Sequence, residues 1–479
     1  MNLRLHFGVA LLLFLSNLAA AQQHRLTPED VYKLQVVSDP QLSPDGTLVA
    51  YVVTTTNRTK NKRVASIWTV PADGSSEPKP FISDMPASSP RWSPDGRFVA
   101  FLSSSPPSQA PNPELPTATM KPSAPAADAK AQLWIVARDG SARRCLTHFG
   151  NGVSKLSWSP DGTRIAVAAR PVAKQSDIRD YSTLFYKMDD SGWFDANRGH
   201  IWIVDVKDGA TRQITNDPER SDNDPQWSPD GKWIAYTSEH SGPEQRTVLD
   251  ATDLLIVSPE GGDSRAVLHN RANVLSPRWS PDANEIAYAV SPTPDDQPRL
   301  WIAKLASLEK PVLATDADLF PTEIEWDKSG LWFGAYERGT APLFRVDLTT
   351  GHAKKIAGGE RALHEPQISD TLHRLIYLEN DDTHPAEVFS SDLDGRGERQ
   401  LTFHNREWLT GVQLSPSERV SWKSADGLTI EGFLKRPVGF EAGQKYPMIL
   451  NIHGGPNGMF GFHWEMDEQL YAANGYAVL

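Results

Sequence analysis

Short apolar runs separated by polar turns fill most of this chain, and one arrangement of them recurs. The unit is an apolar position, a Ser-Pro-Asp-Gly turn, a polar pair and an apolar strand. It stands at Ser43-Pro44-Asp45-Gly46, Ser93-Pro94-Asp95-Gly96, Ser159-Pro160-Asp161-Gly162 and Ser228-Pro229-Asp230-Gly231. A fifth copy reads Ser280-Pro281-Asp282-Ala283, and degenerate copies follow at Trp326–Gly330 and Ile368–Asp370. Proline presets φ for the first corner, aspartate bonds its own backbone, and glycine accepts positive φ. Each copy therefore predicts a β-hairpin.

An apolar-aromatic strand follows every hairpin, as in Ile67-Trp68-Thr69-Val70, Leu133-Trp134-Ile135-Val136 and Ile201-Trp202-Ile203-Val204, and a polar turn and fourth strand come next. Seven such units with a mean step of about 54 residues predict a seven-bladed β-propeller over residues 22–413. Four-stranded blades packed in a ring bury faces that a lone hairpin leaves wet, and closing the ring protects edges. Trp92, Trp158, Trp227, Trp279 and Trp326, each just before its turn, read as packing between blades. Longer connections at Pro106–Lys130 and Pro171–Gly199 read as surface excursions, and the second offers Trp193 and Arg198 as substrate-binding candidates.

The texture changes near residue 414. Two strands are expected around Ser424-Ala425-Asp426-Gly427, then the apolar run Tyr446–Ile452, read as a strand buried on both faces. It leads into His453-Gly454-Gly455-Pro456, then a helix around Glu465–Asn474 and a strand from Tyr476. A buried strand feeding a His-Gly-Gly loop is where α/β-hydrolases place one oxyanion-hole donor. The Gly455 N–H is the candidate, because glycine lets a bare backbone donor approach developing charge. His453 reads as shaping the loop. The fold class is thus mainly β, a propeller followed by the opening of an α/β-hydrolase domain over 414–479.

On these residues the chain resembles the prolyl oligopeptidase family, in particular its acylaminoacyl-peptidase and bacterial dipeptidyl-peptidase branch. The likeness extends over nearly all of the chain, from Leu26-Thr27-Pro28-Glu29-Asp30 through the Ser-Pro-Asp-Gly copies and Asp426-Gly427 to the His453 tetrad. It implies a serine peptidase acting on oligopeptides, an exopeptidase releasing acylated residues or dipeptides from N-termini, through a Ser-Asp-His triad. No Gly-x-Ser-x-Gly elbow occurs in these 479 residues. The triad is therefore read as absent, the chain as incomplete in its hydrolase portion, and the polypeptide as inactive by itself. The alternative is a non-enzymatic, TolB-like periplasmic propeller binding a protein partner.

The remaining composition narrows the setting. A net charge of −12 argues against a nucleic-acid partner. Residues 1–21 carry a polar start, the short apolar run Phe7–Leu15 and Ala19-Ala20-Ala21, the pattern of a secretory signal peptide. The protein is then expected to be secreted or periplasmic, with no membrane attachment after cleavage; self-association stays open. The single cysteine, Cys145, reads as a strand residue, and Asn57-Arg58-Thr59 fits a glycosylation sequon. The scattered histidines have no ligand-like spacing, so no metal and no cofactor are expected.

Overall fold

The computed structural model describes residues 23–105, 130–170, 187–188, 192–193, 198–240, 251–272, 274–291, 296–454 and 458–479. Among them, seven antiparallel four-stranded sheets succeed one another along the chain. In the first, Val36–Leu42, Leu48–Asn57, Lys62–Pro71 and Lys79–Ile82 pair in order. Each predicted Ser-Pro-Asp-Gly turn joins the first and second strands of its sheet. The serine organises it: Ser43 Oγ donates to Asp45 Oδ1 at 2.6 Å and accepts the Leu48 N–H at 3.0 Å, with Gly46 at φ 68°. Ser93, Ser159, Ser228 and Ser280 repeat the bond at 2.6–2.7 Å.

The second strands are apolar on both faces because every sheet is packed between two others. Val99 and Phe101 join the core shared with the first sheet, whereas Ala100 and Leu102 face the third. The last such core joins the seventh sheet to the first, through Val37, Val49 and Tyr51 against Ile376, Leu378 and Val388. The repeat tryptophans bridge neighbouring sheets as expected. The indole N–H of Trp92 donates to Gln41 O, that of Trp158 to Arg91 O, and that of Trp279 to Gln226 O, all at 3.0–3.1 Å.

First strands from all seven sheets surround a channel of about 770 Å³, which makes the arrangement propeller-like. Each of these strands carries a register shift along the channel, and in five of the seven it falls between the residues five and two before the turn serine, as between Ser38 and Gln41 or His364 and Gln367. The strand His24–Arg25 pairs in parallel with Val412–Gln413, tying the start of the described chain to the segment after the seventh sheet.

Beyond it, Ser417–Lys423, Thr429–Lys435, Ala477–Val478 and Met448–Ile449 form an eighth, mixed sheet in that order. The helix Met466–Ala473 lies where a helix was expected. One expectation fails. The apolar run at 446–452 is not buried on both faces: only Met448–Ile449 is strand, it lies at the sheet edge, and Ile452 is 75% exposed. Its single ladder partner is Ala477–Val478, so the other edge meets no strand among the described residues.

Candidate functional site

Alternate turns of an antiparallel meander fall at opposite ends of the sheet. The Ser-Pro-Asp-Gly turns occupy one end of the ring, and the connections between second and third strands occupy the other. The segment after residue 413 is fastened to this second end, on the sixth and seventh sheets. Phe462 N–H donates to Gly339 O at 2.7 Å, Trp464 N–H to Asn380 Oδ1 at 3.1 Å, and Arg338 pairs with Glu431 at 3.1 Å. Gly339, at φ 77°, lies so close to the Phe433 ring that a Cβ there would collide with it.

The strongest fastening is buried. Lys435, 1% exposed, donates from Nζ to Ser417 Oγ at 2.6 Å and lies 3.7 Å from Asp382 and 3.6 Å from Glu468. Asp382 also accepts the Ser417 N–H, and its carbonyl accepts Gln469 Nε2 at 2.7 Å. An acid from the seventh sheet is thus shared with two strands and a helix of the final segment.

Between the two parts lies a cavity of about 390 Å³, lined by Val36, Tyr336, His364, Asn380, Phe462 and Trp464 among others. A neighbouring cavity of about 470 Å³ on the other flank of the Asp381–Ala386 turn is acidic, with Glu379, Asp381 and Glu387 on its wall. Burial pushes the Glu379 carboxyl up to about 7, against the pull of Arg361, 3.8 Å away. His384 pairs with Asp381 at 3.0 Å, and that carboxylate raises the imidazole. An apolar, partly aromatic cleft with a few placed polar groups is a general form of small-ligand or peptide site.

No family model matches the chain. It is 28% identical to a Bacillus subtilis protein named uncharacterized peptidase YuxL, over 95% of this chain and 70% of that one. Against dipeptidyl-peptidase 5 of Porphyromonas gingivalis the identity is 25%, over 95% and 67%. Among solved structures it superposes on the acylaminoacyl peptidase of Pyrococcus horikoshii with a TM-score of 0.75 and 23% identity, covering 95% of this chain and 66% of that one. In sequence the chain is similar to proteins named peptidases, and in fold to an acylaminoacyl peptidase. It spans about two thirds of the length of these relatives. Over 78% of its length the chain also resembles in fold the β-propeller domain of the Trilobed protease from Pyrococcus furiosus, with a TM-score of 0.53 and 18% identity.

The family frame sorts the residues singled out from the sequence. Gly455 lies outside the described residues, as do the side chain of Trp193 and the proposed signal peptide at 1–21. His453, just before Gly455, is exposed; its Nδ1 is 2.9 Å from Gly454 O and its ring meets Phe460 edge-on, consistent with shaping the loop. Arg198 is half-buried beside His200 on the third sheet and lines neither cavity at the junction. Cys145 is part-buried, its Sγ 3.2 Å from Thr147 O, and burial pushes the thiol up to about 11, which suits a strand residue and not a nucleophile.

The sequence reading missed the channel lining. The residue four before each turn serine (or its counterpart) supplies Asp39, Ser89, Lys155, Asp224, Glu323 and Glu365. The residue two before supplies Gln41, Arg91, Ser157, Gln226, Arg278, Glu325 and Gln367. Charges cross between sheets here: Arg91 meets Asp39 at 2.8 Å and Arg278 meets Glu325 at 3.1 Å. Offset from the turn was the available signal, since residue type varies too much from copy to copy to announce a ring.

Proposed function

We propose that this chain supplies the seven-bladed propeller (22–413) and the opening of the α/β-hydrolase domain (414–479) of an exported serine peptidase acting on oligopeptides. The family frame favours an exopeptidase that releases acylated residues or dipeptides from N-termini. The observation that carries this reading is the cleft at the junction, where a segment that begins beside the His453-Gly454 loop is held over the open end of the sheets. A peptide entering there lies against Tyr336, Phe462 and Trp464, with Asn380 and His364 as polar contacts.

In this reading the Gly455 N–H donates to the oxygen of the scissile carbonyl as it gains negative charge, one half of an oxyanion hole. The nucleophile, its base and the orienting acid have no counterpart in these 479 residues, so acyl transfer does not proceed on this polypeptide alone. Arg198 and Trp193 stay as proposed substrate contacts from the connection between the second and third strands of the third sheet.

Two measurements test the proposal. The purified 479-residue polypeptide is expected not to react with a serine-directed fluorophosphonate; labelling would overturn the account of the missing triad. It is expected to bind N-acylated or free oligopeptides by calorimetry, weakened by Trp464→Ala. Binding indifferent to that change would remove the cleft from the proposal.

A further inference from the structure

Three neighbouring sheets place a carboxyl at the same point of the channel wall: Glu323 on the sixth, Glu365 on the seventh and Asp39 on the first. Asp39 meets the Arg91 guanidinium at 2.8 and 3.0 Å, and Glu323 faces the His364 ring at 3.6 Å. Glu365 lies between them and enters no ion pair among the described residues. Its Oε2 accepts the Asp39 N–H at 2.7 Å, a bond across the junction where the last sheet meets the first. Both backbones are constrained there. Asp39 and Glu365 sit at φ 52° and 51°, and each precedes a proline, so neither carboxyl can retreat cheaply.

This junction is held by side chains, because the first and seventh sheets each close within one stretch of chain and exchange no strand. Besides the shared apolar core, Gln35 N–H donates to Asn405 Oδ1 at 2.9 Å, and Tyr51 Oη meets His404 Nε2 at 2.9 Å. We propose that Glu365 makes the channel-side closure between the first and seventh sheets responsive to pH: protonated, it keeps the seam shut, and ionised, it sets adjacent carboxylates against each other and loosens it. The proton released by Glu365 goes to solvent.

Burial and then the Asp39 charge, with a smaller push from Glu323, raise the Glu365 carboxyl to about 7, against the Asp39 N–H bond, which favours the carboxylate, and the weaker pull of His364. An opened seam returns it toward its ordinary value of 4.5. The closed form then holds the proton more tightly, so closure is fully favoured below that ordinary value and loses ground as pH rises to about 7. Between pH 5.5 and 7.5 this linkage gives a roughly twentyfold rise in the open population. His404 acts the other way at the same seam, since burial lowers it to about 4 and opening favours its charged form in acid. The test must therefore compare proteins that share His404. This inference is independent of the peptidase reading.

Amide exchange, corrected for its intrinsic pH dependence, is followed in peptides covering Val36–Leu42 and Ala362–Ser369 of wild type, Glu365→Gln and Glu379→Gln. The ratio of wild-type to Glu365→Gln exchange should rise at least about tenfold from pH 5.5 to 7.5, while the ratio to Glu379→Gln stays level. A level ratio for Glu365→Gln overturns the proposal. If that variant does not fold, Asp39→Asn takes its place. It removes one neighbouring charge, so the wild-type to Asp39→Asn ratio should rise in the same direction by a smaller factor, and a level ratio refutes the proposal equally.

Discussion

Replacing Lys435 with methionine keeps the unbranched stem of the side chain up to its last atom and removes the charge. The wild-type ammonium is 1% exposed and stands between Asp382 and Glu468, with Ser417 Oγ completing its partners. Without it two nearly buried carboxylates confront each other across the junction. Breaking a buried pair by removing one partner costs about 3–5 kcal/mol, chiefly through the uncompensated charge that is left. At about 1.4 kcal/mol per factor of ten, local opening of the eighth sheet should rise roughly a hundredfold to a few thousandfold. Hydrogen exchange reads this directly: peptides from residues 414–479 should lose protection while those from the second to fifth sheets keep theirs. Adding Asp382→Asn should recover part of the loss, because one stranded charge is gone, although Ser417 N–H then loses its charged acceptor. A loss below about 1 kcal/mol for Lys435→Met would refute the reasoning and show that water already reaches the cluster.

Other outcomes follow from single contacts. Ala283 occupies the left-handed corner that glycine holds in the other complete turns, at φ 60°, so Ala283→Gly should stabilise the protein by about 0.5–1 kcal/mol in urea denaturation. Gly339→Ala should loosen the final segment, because the new methyl meets the Phe433 ring; protease sensitivity confined to 414–479 is the readout. Trp92→Phe removes the donor to Gln41 O at 3.0 Å and should cost about 1–2 kcal/mol, seen as a lower urea midpoint with an unchanged slope. Buried His404, lowered to about 4, is neutral in the fold and protonates below about 6.5 when unfolded. Stability should thus fall as pH drops from about 6.5 to 4, and His404→Asn should flatten that limb.

What could be read in advance was what is encoded locally. A Ser-Pro-Asp-Gly turn states its own geometry within a few residues, and the tryptophan before it has one sheet edge to reach, so hairpins, third strands and bridging indoles all lie where their pattern places them. The helix Met466–Ala473 and the strand pair around Asp426-Gly427 were legible for the same reason. The run Tyr446–Ile452 shows the limit of this kind of reading. Continuous apolarity records what a strand can bury, while position in the sheet decides what it does bury, and Met448–Ile449 stands at an edge.

The site required information that no local pattern holds. Asn380 meets Trp464, 84 residues on, and Asp382 meets Ser417 and Gln469, 35 and 87 residues on, because a segment docks on a ring assembled from distant parts of the chain. The channel is subtler, for its lining is periodic but its chemistry is not. Position four before the turn is Asp, Ser, Lys or Glu in different sheets, so a search by residue type passes over it. Variation at a geometrically fixed position is how a repeat fold acquires an individual surface: the turn and the packing residues must match in every copy for the ring to close, and the channel positions are freed from that demand. Functional differences between rings built on this repeat should therefore concentrate at these two offsets. Exchanging Lys155 for Ser, the residue at the same offset in the second sheet, should leave the unfolding free energy within about 0.5 kcal/mol of wild type. A larger stability loss would show that the offset serves the ring itself.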